Sequence, residues 1–134
     1  MTAGDVMSGT SVRAVIVAHG TLAAGMVSAV EQIAGRGDCL RALSNSGHGL
    51  AELQASLSAL LDETGARVVF TDLPAGSCTM AGRRLLRDRP DITLVTGMNL
   101  PLVLDFVMHD QAEPADAARS ALVRGQGALA VCGS

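Results

Sequence analysis

Two kinds of apolar pattern alternate along this chain. "VRAVIVA" (12–18), "RVVFTD" (67–72) and "ITLVT" (92–96) are short β-branched runs that read as strands covered on both faces, with "DCLRAL" (38–43) a weaker fourth. Between them, apolar residues recur every three or four positions. Leu22, Met26, Val30 and Ile33 predict a helix to Ala34 that Gly35 stops. Leu50, Leu53, Leu57, Leu60 and Leu61 predict a second, ending at Gly65. "SNSGHG" (44–49) is a loop, "LPAGSC" (73–78) is a turn into a helix to about Asp88, and "GMNLP" (97–101) opens another. An Ala-rich helix (about 114–124) and an apolar run, "GALAVC" (127–132), close the chain. Strands alternating with helices of this size imply an α/β fold, a three-layer doubly wound and mainly parallel sheet. The strand order expected is 2-1-3-4, with the last apolar run a further strand candidate that would lie at a sheet edge.

Composition narrows this picture. The chain has 134 residues, 49% of them hydrophobic, but only two Phe and no Tyr or Trp, so its core has to be aliphatic. The expected organisation is a short flexible lead-in (1–11) and a single domain (12–134). A net charge of -3 argues against a general nucleic-acid binder or a protein drawn to anionic membranes. All ten basic residues are Arg. Cys39, Cys78 and Cys132 are widely spaced and form no CxxC pair, which suits reduced thiols in a cytoplasmic protein better than disulfides or zinc. "MTAGDVMSGTS" has neither the basic nor the apolar region of a leader, and no segment has the length of a membrane span.

The chemistry gathers at strand ends. In doubly wound sheets, ligands lie beyond the carboxyl ends of the strands, where strand order reverses. His19 follows the first strand and Asp72 ends the third; as neighbours, those strand ends would lie about 5 Å apart. The turn after Asp72 offers Gly76, Ser77 and a run of N–H groups opening a helix, which is a cradle for an anion. Such a set suits phosphoryl transfer to a histidine. One imidazole nitrogen attacks while a carboxylate holds the proton on the other and stabilises the developing cation. The helix-start amides and the Ser77 hydroxyl would hold the phosphoryl oxygens. This chemistry needs no metal or other cofactor, and no metal cluster is visible in the sequence.

"AVIVAHGTLAAGMVSAVEQIAG", "VVFTDLPAGSCTMAGRRLL" and "VTGMNLPLVLDFV" together resemble the enzyme IIA component of the mannose-type (mannose/fructose/sorbose) phosphoenolpyruvate-dependent sugar phosphotransferase system. The resemblance runs from about residue 12 to 110. It implies that His19 accepts phosphate from the histidine-containing phosphocarrier protein and passes it to a IIB component, for sugar uptake or regulation. Asp72 would orient His19, and Ser77 would be the phosphate-loop serine. The family commonly has two glycines in that loop and, after the Ser or Thr, a Pro and an Asn; this chain departs with Ala75, Cys78 and Met80. The resemblance further implies that this last run is an antiparallel C-terminal edge strand exchanged between the two protomers of a homodimer, with Gly125 and Gly127 bracketing the hinge.

The remaining polar residues read more plainly. His48 is a loop residue between glycines, and His109 sits near a helix C-terminus, where partial positive charge is favourable. Cys78, at a helix start, could have a lowered pKa, although it reads best as a small filler. Arg83, Arg84 and Arg87 offer a basic face to solvent or to an acidic partner. A tetrapyrrole metal chelatase also carries a strand ending in "AHG", but it needs a second strand-end histidine, which neither His48 nor His109 supplies. The phosphocarrier subunit of dihydroxyacetone kinase and a non-catalytic regulatory domain remain alternatives, with "GMNLP" favouring the mannose type.

Overall fold

A computed structural model describes residues 11–133. Apart from Ser11, the expected lead-in lies outside the described residues. Strand β1 (Ala14–Ala18) leads to helix α1 (Leu22–Ala34), and a short 3-10 turn (Gly37–Cys39) precedes β2 (Leu40–Ser44). Helix α2 (Leu50–Thr64), β3 (Val68–Thr71) and α3 (Ser77–Leu86) follow, then β4 (Thr93–Val95), α4 (Leu100–Met108) and α5 (Pro114–Gly127). The four strands form one sheet in the order β2-β1-β3-β4, every pair parallel. The expected 2-1-3-4 order is therefore the observed one.

Alternation along β1 divides the interior in two. Ala14, Ile16 and Ala18 enter a core with α1, α4 and α5, while Val15 and Val17 enter another with α2 and α3. All five residues are fully buried, as a strand between two helical layers requires. The only two aromatic residues meet in the first core: the Phe70 and Phe106 rings stand edge to face, 5.1 Å between centroids. Arg13 lies over Phe106, 4.6 Å from its ring centre, and donates to the carbonyls of Phe106 and His109 at the end of α4.

Helices α1 and α2 stop at the expected glycines. The buried face of α1 differs from the expected stripe. Ala23 and Val30 are buried, whereas Leu22 and Ile33 are 46% and 61% exposed. The buried face runs through Ala23 and Val30, two turns apart, which leaves Leu22 and Ile33 at its margin.

The C-terminus departs more. Helix α5 continues to Gly127, and residues 129–133 carry no regular structure, so no fifth strand forms among the described residues. Gly125 is buried inside the helix, where a Cβ would lie 2.7 Å from Leu102 Cβ and 2.9 Å from Asn99 Oδ1. It is a close-packing position rather than one side of a hinge. Asn99 fixes this joint from both sides: its Oδ1 accepts from Leu102 N–H, capping α4, and its Nδ2 donates to the Gly125 carbonyl at 2.9 Å.

Candidate functional site

The parallel register pairs Val17 with Thr71 across β1 and β3, so the residues just beyond emerge side by side. His19 Nδ1 lies 2.8 Å from Asp72 Oδ2, and the same oxygen accepts the His19 backbone N–H at 2.9 Å. One carboxylate thus holds both the main chain and the ring of the histidine. The His19 side chain is 45% exposed, that of Asp72 only 7%. Nδ1 is engaged, and Nε2 has no hydrogen-bond partner among the described residues.

Burial pushes the Asp72 carboxyl up, but the two hydrogen bonds from His19, with the Asp72 backbone amide and the His19 charge, together hold the group below the ordinary carboxylate range. Asp72 is therefore an anion at neutral pH and fixes the tautomer with the proton on Nδ1. Its second oxygen, Oδ1, is buried without a hydrogen-bond partner.

The turn from Asp72 to α3 closes beneath the ring. Gly76, at φ 108°, adopts a conformation that side-chain-bearing residues rarely reach. A Cβ there would lie 3.7 Å from His19 Cε1, so the loop passes close to the ring. Ser77 opens α3, whose first amides have no partner within the helix. Cys78 is fully buried, with Sγ 3.9 Å from His19 Nδ1. The structure thus brings His19, Asp72, Gly76 and Ser77 together, and adds Cys78. The Cys78 thiol is pushed up, first by burial and then by the Asp72 charge; the lowering expected at a helix start does not occur.

Three supports escaped the sequence pattern. Asn45 Nδ2 reaches Ser77 Oγ at 3.5 Å from the loop after β2. Since Ala18 pairs with Ser44, the 2-1-3 strand order was the available signal that Asn45 would flank the site. Ser44 Oγ donates to the Gly20 carbonyl at 2.8 Å, pinning the turn after His19. Thr79 Oγ1 donates to the Leu73 carbonyl and lies 2.6 Å from Thr71 Oγ1, forming a buried polar clasp across the turn between Asp72 and α3. His48 and His109 are exposed; His48 shares the loop of Asn45, donating its N–H to the Asn45 carbonyl at 3.1 Å, and Arg83, Arg84 and Arg87 form an exposed row along α3 and its C-cap. Leu22, Leu73 and Met80 are each about half exposed.

Comparison with known proteins places this arrangement. Residues 13–123 match the family model described as the PTS system fructose IIA component. The chain is 30% identical over 109 residues to the sorbose-specific IIA component of the Klebsiella pneumoniae phosphotransferase system, covering 78% of this chain and 79% of that protein. Among solved structures, a phosphotransferase system component EIIA from Streptococcus agalactiae superposes with a TM-score of 0.81 at 21% identity, covering 90% of this chain and 96% of the other. The mannose/sorbose-specific IIA subunit from Enterococcus faecalis gives 0.79 at 20% identity, covering 92% and 96%. At those identities the two structures speak for the fold. The sequence matches go further, and on them the chain belongs to the mannose-type IIA family of the sugar phosphotransferase system, a family of phosphotransferases.

Proposed function

We propose that this chain is a phosphocarrier whose His19 Nε2 accepts a phosphoryl group from the histidine-containing phosphocarrier protein and yields it to a IIB component. The phosphorus–nitrogen bond of the donor phosphohistidine breaks as the new one forms at His19. Asp72 keeps the proton on Nδ1, so the Nε2 lone pair points outward, and its charge stabilises the imidazolium that develops. The amides of Ser77 and Cys78 and the Ser77 hydroxyl would receive the phosphoryl oxygens. The observation that carries this reading is the 2.8 Å contact between His19 Nδ1 and the buried Asp72, with Nε2 left free on a half-exposed ring. The apolar rim of Leu22, Leu73 and Met80 suits docking of a protein surface, as transfer between two carriers requires.

A homodimer with exchanged C-terminal segments belongs to the same proposal. Leu129 is 77% and Val131 97% exposed, while β4 is an edge strand flanked by a groove lined by Leu94, Val95, Ala118 and Leu122. A partner's tail pairing with that edge would cover both.

The test is phosphorylation. With phosphoenolpyruvate, enzyme I and the phosphocarrier protein, the chain should gain one acid-labile phosphate, absent in His19→Ala. Label on Ser77, or label surviving in His19→Ala, would overturn the assignment.

A further inference from the structure

The thiol of Cys78 is the one side chain in the site with no part in the proposed phosphoryl transfer, yet its sulfur belongs to the ring of atoms around Nδ1. One ligand-type atom from each of His19, Asp72 and Cys78 lies within 4.8 Å of the others. Nδ1 is 2.8 Å from the carboxylate and 3.9 Å from the sulfur. In a tetrahedral zinc site, bonds of about 2.1 Å to nitrogen or oxygen and about 2.3 Å to sulfur give ligand edges of roughly 3.3–3.7 Å. These two edges straddle that range, each within about 0.5 Å of it, while the third, from carboxylate to sulfur, lies within 4.8 Å and would close on binding. A second observation points the same way: Asp72 Oδ1, on a side chain only 7% exposed, is buried with no hydrogen-bond partner. An orphaned carboxylate oxygen costs free energy that a cation would recover.

We propose that His19, Asp72 and Cys78 form a three-ligand site for a thiophilic divalent cation of the zinc type, and that a bound cation excludes phosphate from His19. Imidazole, carboxylate and thiolate together suit a borderline-soft metal, and the exposed side of His19 leaves the fourth position to water. Binding displaces the thiol proton to solvent and shifts the imidazole proton from Nδ1 to Nε2. The nitrogen that would attack phosphorus then carries a proton and has no free lone pair. Conversely, phosphate on Nε2 leaves the proton on Nδ1, where the metal would sit. The two ligands therefore oppose each other reciprocally. This exclusion rests on the phosphocarrier reading of His19; the binding itself does not.

The test uses the full, reduced chain, with Co²⁺ as the spectroscopic probe and Zn²⁺ as competitor. One equivalent of Co²⁺ should give tetrahedral visible bands and a thiolate charge-transfer band, both removed by Zn²⁺. The charge-transfer band should persist in Cys132→Ser and vanish in Cys78→Ser and Cys78→Ala, each checked for native circular dichroism. Those variants should bind Zn²⁺ more weakly by about 100-fold or more. A wild-type spectrum without the thiolate band, or a band unchanged in both Cys78 variants, overturns the site. In the phosphorylation assay, Zn²⁺ at saturation should abolish wild-type labelling while Cys78→Ser keeps most of its own metal-free labelling. Equal inhibition of both overturns the exclusion. Absence of labelling even without metal overturns the phosphocarrier reading and the exclusion with it, leaving the cobalt spectrum to decide binding.

Discussion

Asp72 does two things with one oxygen: it ties the turn after β1 through the His19 N–H and it orients the ring. Asp72→Asn keeps an acceptor of the same size and removes the charge. Its melting temperature at neutral pH should fall only slightly, while phosphoryl acceptance should slow by about 10²-fold or more, in line with triad carboxylates. Wild-type transfer rates in this variant would show that Asp72 does not act through its charge. The same carboxylate gives a pH signature. Its folded pKa is depressed, so its contribution to stability is fully present above the unfolded value, about 3.9, and is lost as pH falls through the lower folded value. Thermal melts across pH 7 to 3 should show wild type and Asp72→Asn converging on the acid side. A gap that stays constant would contradict that linkage. His19 and Asp72 were legible as a pair because each directly follows a strand. Asn45 and the Thr71–Thr79 clasp were not, because they depend on which loops the strand order brings together.

Among the elements, the joint of α4 and α5 is the most sharply specified. Gly125→Ala would drive a methyl into Leu102 and Asn99. Overpacking of this kind costs about 1–3 kcal/mol, offset by the better helix propensity of Ala, about 1 kcal/mol. The net effect should be a lower melting temperature, whereas Gly127→Ala, with nothing within 4 Å, should be neutral or slightly stabilising. Equal melting temperatures for the two variants would mean that α5 does not pack this closely. Helix bounds at Gly35 and Gly65 were readable because a stop is a local event. The buried face of α1 and the place of Gly125 were not, since small residues carry no hydrophobic signal and reveal their role only against a neighbouring helix.

For the whole molecule, the open question of assembly lies in the tail. No helix among the described residues is long and apolar enough to cross a membrane, and Leu129 and Val131 stand exposed where the proposed exchange would cover them. If a second copy provides that cover, light scattering at micromolar concentration should give a dimer for the full chain. Truncation after Ala128 should give a monomer that still accepts phosphate on His19. A compact monomer for the full chain would refute the exchange and leave the chemistry untouched. The layer architecture and strand order were legible because alternation and connection length are properties of one chain. The fate of "GALAVC" was not, because an edge strand is defined by what it pairs with.

The burial of β1 between two cores and two strands has a kinetic consequence. Its amides bond inside the sheet, away from both edges, and none of its five residues meets solvent. In native-state hydrogen exchange they should give up their protons only when the whole chain unfolds, while the three residues of β4 at the edge exchange earlier through local opening. Slower exchange at Thr93–Val95 than at Val15–Val17 would reverse that order. On that expected order, His19 directly follows the slowest-opening strand among the described residues. Loops around it can breathe without moving the nitrogen that a partner would have to reach in the proposed transfer.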